Sequence, residues 1–376
     1  MRKGILSLIL CLMVAVLSGC SEYRQVENLA FALIMGLDLT SDGNLELSVV
    51  VPSIQSGDQS SEGPESSQNE LLYTAEGENF TDALYQLKWN VPRRLDLSQI
   101  ELFVVSAALA ESPLFSATTD AMMGTAGLYT SGKLAICHES VTNFISAIRP
   151  AAVDNLSAGL TAMFEDYTTL GFIPDTSFAD FYYDSISIFS DPIAVRASLS
   201  QPDRETSGNP VIPDPAKIQR QEDEATAQFL GAAVFSEGVY AGDLSVTELL
   251  YCNLIRGERL SLPFYIDGQT VYLTTDGTPK VSIDSTRSPV RIRVELRFSL
   301  WHGGQSVNIP SLEEALSQDL SRTVDVCKAL NSEPFRFAEK AASSFPTLQD
   351  FLRFDWNSQF SQSQVSFEIH FIPENS

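Results

Sequence analysis

The sequence predicts a multidomain α+β (mixed α/β) protein with predominantly antiparallel sheets flanked by helices. Three observations carry this. Stretches with period-two alternation recur, as from Arg291 to Phe298. Amphipathic helical patterns with cap signals separate them. The chain has 376 residues, enough for two or three domains with cores of their own.

At the start, Arg2 and Lys3 precede an apolar run from Ile5 to Leu17. Such a run is short for a bilayer span, which needs roughly 20 apolar residues, and it fits an export signal over residues 1–19. Leu17-Ser18-Gly19-Cys20 closes the run and resembles a bacterial lipobox. That resemblance implies cleavage between Gly19 and Cys20, with a diacylglyceryl group on the Cys20 thiol. The alternative is a plain signal peptide with an incidental cysteine. Two acyl chains anchor a protein stably where one holds it only marginally. The body is therefore expected to be membrane-tethered through its first mature residue.

Phe31–Asp38 and Leu45–Val51 form an expected hairpin around Asp42-Gly43. Ser53 to Asn69 reads as a polar loop and Leu71–Ala75 as a strand. Phe80, Ala83, Leu84 and Leu87 share one helical face, which Pro92 ends. Ile100–Val105 returns to strand, and Pro113 to Ser190 is mainly helical around a strand at Lys133–Cys137. Ile193–Leu199 is a strand. Gln201–Glu224, with four prolines, is the expected linker.

The second half begins with a strand at Ala227–Phe235. Ser245-x-x-Glu248 is a capping box, which satisfies free amides at a helix start. Strands recur from Phe264 to Leu300. Ser311-x-x-Glu314 is expected to cap a helix reaching Leu330, and Val365–Phe371 closes the chain as a strand. The expected organisation is a signal at 1–19, an N-terminal region at 20–200, a linker at 201–224 and a C-terminal domain at 225–376. The N-terminal region can be split further into 20–110 and 111–200.

The formal net charge is −24, and loss of Arg2 and Lys3 with the signal takes it to −26. This argues against a nucleic-acid partner, because that affinity rests on Lys and Arg neutralising phosphates. Of the five cysteines, Cys137, Cys252 and Cys327 are left after Cys11 and Cys20. They are distant and odd in number, which favours buried free thiols over a disulfide framework.

No catalytic constellation emerges. Gly127-x-x-x-x-Gly132-Lys133 lacks the following Ser or Thr of a phosphate loop, since Leu134 stands there. Asp38 to Asn44 starts like a calcium loop, but Val49 occupies the place of its bidentate Glu. Ser157 sits in Asn-Leu-Ser-Ala-Gly without the first glycine of a nucleophile elbow. Cys137 and His138 are strand neighbours whose side chains point to opposite faces. His138, His302 and His370 have no partner at ligand spacing. No cofactor and no metal are expected, and the protein is not expected to be an enzyme.

The order of several segments resembles the Ger(x)C family, the lipoprotein C subunits of spore germinant receptors (GerAC-like). Val26-Glu27-Asn28-Leu29-Ala30 with Met35-Gly36-Leu37-Asp38 is similar to its opening strand. Ala75-Glu76-Gly77, Asp82-Ala83-Leu84, Pro92-Arg93-Arg94-Leu95 and Gln99 to Ala110 continue it. Leu230 to Phe235, then Leu244-Ser245-x-x-Glu248-x-Leu250, resemble the start of its C-terminal domain, and Pro346 and Trp356 its late helical region. Two segments depart. Ser21 stands where Trp is frequent, and Glu333-Pro334-Phe335-Arg336-Phe337-Ala338 replaces a segment nearer Asp-Ile-Phe-Gly-Phe-Gly.

The resemblance implies about three mixed domains and assembly with an A subunit and a transporter-like B subunit. It also implies location on the outer face of the spore's inner (cytoplasmic) membrane and a role in nutrient-triggered germination. A non-catalytic supporting subunit is the expectation. The alternatives are a solute-binding lipoprotein of an uptake transporter and an exported hydrolase.

Overall fold

A computed structural model describes residues 28–52, 70–148, 156–199, 227–266, 268–301 and 307–373. The expected export signal at 1–19, the lipobox-like Leu17–Cys20, the expected loop at Ser53–Asn69, the expected linker at Gln201–Glu224 and His302 lie outside the described residues.

The chain runs β1 (Leu29–Phe31), β2 (Ile34–Leu39), β3 (Leu45–Pro52), β4 (Glu70–Gly77), α1 (Phe80–Asn90), β5 (Arg94–Asp96), β6 (Leu102–Ser106), α2 (Ala107–Ala110) and α3 (Leu114–Met123). It continues through β7 (Lys133–Cys137), α4 (Val141–Ile148), α5 (Leu156–Thr169), α6 (Phe178–Ser185) and β8 (Ile193–Ser198). After the linker come β9 (Gln228–Ser236), β10 (Val239–Leu244), α7 (Val246–Arg256), β11 (Ser261–Ile266), β12 (Gln269–Thr275), β13 (Lys280–Asp284) and β14 (Arg291–Trp301). The chain closes with α8 (Ile309–Ala329), α9 (Phe337–Ala342), α10 (Leu348–Phe354), α11 (Trp356–Gln362) and β15 (Gln364–Pro373).

The expected mixture of helices and mostly antiparallel pairs is present. The first sheet has the order β10-β9-β8-β7-β6-β2-β3-β4. Its two flanks are antiparallel, and β2, β6, β7 and β8 run parallel at its centre. Central parallel strands are covered on both faces by crossover helices, and every residue of β6 is buried. Alternation sorts them into two cores. Phe103 and Val105 face one core with α1, while Leu102 and Val104 face another with α4 and α5.

Gly36 lets α4 lie directly on β2. A Cβ there would come within 2.5 Å of Val141 and 2.7 Å of Ile145.

In the second half of the chain, β9 and β10 do not begin a separate sheet. They pair with β8 and extend the first one. The second sheet, β11-β12-β14-β13 with β15 beside β14, holds a third core against α7 and α8. Ile193, Ala232 and Val234 of the first sheet belong to that same core, so the two regions share packed side chains. Local periodicity carries no signal for such long-range pairing.

Two caps show how local chemistry sets boundaries. The Ser245–Glu248 box is present as expected, with both reciprocal bonds made. The expected Ser311–Glu314 box is corrected. Asn308 is the cap, its side chain accepts from the Ser311 amide, and Pro310 lies in the first turn. Proline suits that turn because its missing N–H would be unpaired there anyway.

Candidate functional site

The two regions meet at a cleft of about 360 Å³. The segment after α6, the β9–β10 turn, Glu333 and Ala338, and residues of α10 and α11 line it. Asp191, Glu237, Glu333, Phe351 and Trp356 are among its walls.

Its polar centre is a reciprocal tie between distant segments. The Glu333 amide donates to Asp191 Oδ2 at 2.8 Å, and the Asp191 amide donates to the Glu333 carbonyl at 3.1 Å. Asp191 Oδ1 accepts from the Glu237 amide at 3.0 Å. Glu333 then folds back on its own segment. Its Oε1 accepts from Phe335 (2.9 Å) and Phe337 (3.1 Å), and its Oε2 accepts from Ala338 (3.0 Å).

Glu333 is 3% exposed and Asp191 8%. Burial pushes the Glu333 carboxyl up to about 8, against the opposing pull of its three amide donors. Burial likewise raises Asp191, and the nearby Glu237 charge adds to it. Every oxygen of the pair already serves a backbone amide, so the carboxylates work as a latch. Trp356, 5% exposed, adds an indole N–H without a hydrogen-bond partner.

The Glu333–Ala338 segment is the one this latch holds. Arg336 has φ 61°, the left-handed conformation that glycine adopts most freely. Its guanidinium pairs with Asp184 of α6 at 3.1 Å. Phe335 and Phe337 stack with centroids 5.2 Å apart, and Arg256 donates to the Pro334 carbonyl at 2.6 Å. The Arg336 side chain thus adds a contact between the two regions.

A second polar cluster lies on the first sheet. His138 Nε2 is 3.0 Å from Asp243 and 3.1 Å from the Tyr240 hydroxyl, and that hydroxyl donates to Asp243 at 3.0 Å. Arg196 pairs with the same carboxylate at 3.1 Å. Burial and the Asp243 charge raise Tyr240.

The remaining motif residues have structural places. Cys137 is buried, donates its thiol to the Glu139 carbonyl and is raised by burial, while His138 faces outward to Asp243. Cys252 and Cys327 are free and buried between α7 and α8, with Cys252 pushed up to about 12 by burial. Asp38 to Asn44 is a hairpin turn, in which Thr40 and Asn44 pair at 2.9 Å. Lys133 opens β7 and pairs with Asp175. Ser157 starts α5 and donates to Glu101. Gly231 has φ 87° with the Leu244 carbonyl against it, so it serves close backbone packing.

Among the described residues, no group of His, Cys, Asp and Glu is placed to hold a metal ion. No described helix is long and apolar enough to cross a membrane. The sequence reading missed the cleft. Its latched acids, Asp191 and Glu333, are two among 48, with no spacing to mark them. The one available signal was the irregular segment at 333–338.

Residues 22–199 match the family described as spore germination protein N-terminal domain. Residues 230–372 match the one described as spore germination B3/GerAC like, C-terminal. Spore germination protein KC of Bacillus subtilis (strain 168) is 26% identical over 170 residues, 44% of this chain and 41% of that protein. The chain thus spans less than half of that relative's length. The fold is similar to the crystal structure of the GerBC protein, with a TM-score of 0.54 and 12% identity, covering 91% of this chain and 97% of that one.

Proposed function

The chain belongs to the GerAC-like family of spore germination proteins, and from that premise we propose that it is the lipid-anchored C subunit of a nutrient germinant receptor. The observation that carries this is the pair of family matches, N-terminal at 22–199 and C-terminal at 230–372, in order along the chain. In this reading Cys20 carries the lipid after cleavage at Gly19, with Leu17 and Ser18 completing the lipobox. The body then sits on the outer face of the spore's inner membrane beside the A and B membrane subunits. Residues 20–200 and 225–376 act as two halves of one subunit.

Its task is to support assembly and signalling without catalysis. The use of the buried acids supports this, since Asp191 spends its oxygens on amides of the other half, and Glu333 spends its own on shaping the segment that Asp191 holds. Family membership favours this reading over solute uptake or wall hydrolysis.

Copurification tests the assembly role. A tagged chain solubilised from the spore inner membrane should bring down two integral membrane proteins, and its deletion should lower their levels. Recovery of the tagged chain alone, with both levels unchanged, contradicts it.

A further inference from the structure

The place where the chain enters the fold carries an unusual surface. β1 and β5 pair in parallel, with Leu29 opposite Arg94. Parallel pairing means that the residues leading into β1 arrive at the same end as those leading into β5. The residues leading into β5 are the last turn of α1 and Val91 to Arg93. Arg93 donates to the Leu29 carbonyl at 3.4 Å, which fixes the two together.

That end of α1 shows large side chains to solvent. Tyr85 is 63% exposed and Trp89 76%, the highest exposure among the large hydrophobic residues described. They are four residues apart and so share one helical face, with Lys88 beside them. Lys88 and Arg94 are exposed and Arg93 is half-buried. The result is an aromatic and basic patch on a chain of net charge −24.

We propose that this patch is the membrane-facing surface of the protein and that Trp89 seats in the lipid headgroup layer. The inference rests on the Cys20 anchor proposed above. Cys20 precedes Asn28 by eight residues, which at roughly 3.3–3.6 Å per residue reach less than about 30 Å. A lipid on Cys20 therefore holds this end of the molecule near the bilayer. Trp and Tyr favour the membrane interface, and Lys and Arg extend their charges to the phosphates there. The patch comprises five side chains, whereas a stable protein interface takes roughly 20–30 residues a side. Another exposed aromatic pair, Tyr272 and Trp301, lies on β12 and β14 of the second sheet rather than on this strand pair.

The test uses the full lipidated chain in vesicles of phosphatidylcholine and phosphatidylglycerol with brominated acyl chains, which quench nearby indoles. Flotation reports the anchor and quenching reports the patch. The expected result is quenching that Trp89→Phe removes and Trp301→Phe does not. The double variant Lys88→Glu with Arg94→Glu should lower it severalfold. Flotation without Trp89-dependent quenching overturns the inference, leaves the anchor standing and assigns the patch to a protein neighbour. Quenching lost with Trp301→Phe instead also overturns it. Failure to float overturns the anchor, and the inference with it.

Discussion

Asp191 and Glu333 lie 142 residues apart and hold each other by two hydrogen bonds, one in each direction: the Glu333 amide donates to the Asp191 carboxylate, and the Asp191 amide donates to the Glu333 carbonyl. Among the described residues, neither carboxylate is paired with a cation. Each is satisfied by amides, and each brings a different part of the chain to the same cleft.

Removal of the Glu333 carboxyl leaves three amide donors without it, those of Phe335, Phe337 and Ala338. An unsatisfied buried donor costs about 1–3 kcal/mol. Glu333→Ala should therefore destabilise the chain by about 3 kcal/mol in chemical denaturation. A loss below about 1 kcal/mol would mean that the segment holds its shape by aromatic packing alone.

The same residue sets a pH dependence. Its folded value of about 8 lies above the ordinary carboxylate value of 4.5, so the native state holds the extra proton between them. Stability from this group is full below about pH 4.5 and falls as pH rises through about 8. Unfolding followed by Trp fluorescence should show higher stability at pH 6 than at pH 8.5, and Glu333→Gln should flatten that difference. A slope of the opposite sign in this window contradicts the assignment.

Arg336 combines a cost and a gain. The left-handed conformation costs an L-residue about 1–2 kcal/mol. The half-exposed pair with Asp184 returns about 0.5 kcal/mol. Arg336→Gly should thus equal or exceed the parent in stability, while Arg336→Ala should fall below it. Thermal melts of the two variants separate the terms, and a Gly variant less stable than the Ala variant would refute this balance.

At Gly231 both the conformation and the space exclude a side chain. Its φ is 87°, and a Cβ would come within 2.4 Å of the Leu244 carbonyl. Gly231→Ala should cost at least about 2 kcal/mol, since the strained backbone alone costs about 1–3 kcal/mol. A denaturation midpoint equal to the parent's would show that the β9–β10 pair can shift apart.

What was legible in the sequence was local. The Phe80–Leu87 spacing matches the buried face of α1, and the Ser245 box matches the start of α7. Alternation from Arg291 to Phe298 matches the burial of β14. These are short-range consequences of period and capping. The joining of β9 and β10 to β8 was not legible, because pairing across the linker leaves no periodic trace. The Asp191–Glu333 latch was hidden for the same reason. The Asn308 cap was missed because Ser-x-x-Glu also fits the residues just inside the helix.

The most direct test of the account is germination of spores that lack this protein, complemented by the parent chain or by Cys20→Ala, across a panel of amino acids and sugars. The account predicts that the deletion abolishes the response to one nutrient class, that the parent restores it, and that Cys20→Ala does not. Full restoration by Cys20→Ala, or an unchanged response in the deletion, would contradict a lipid-tethered receptor subunit.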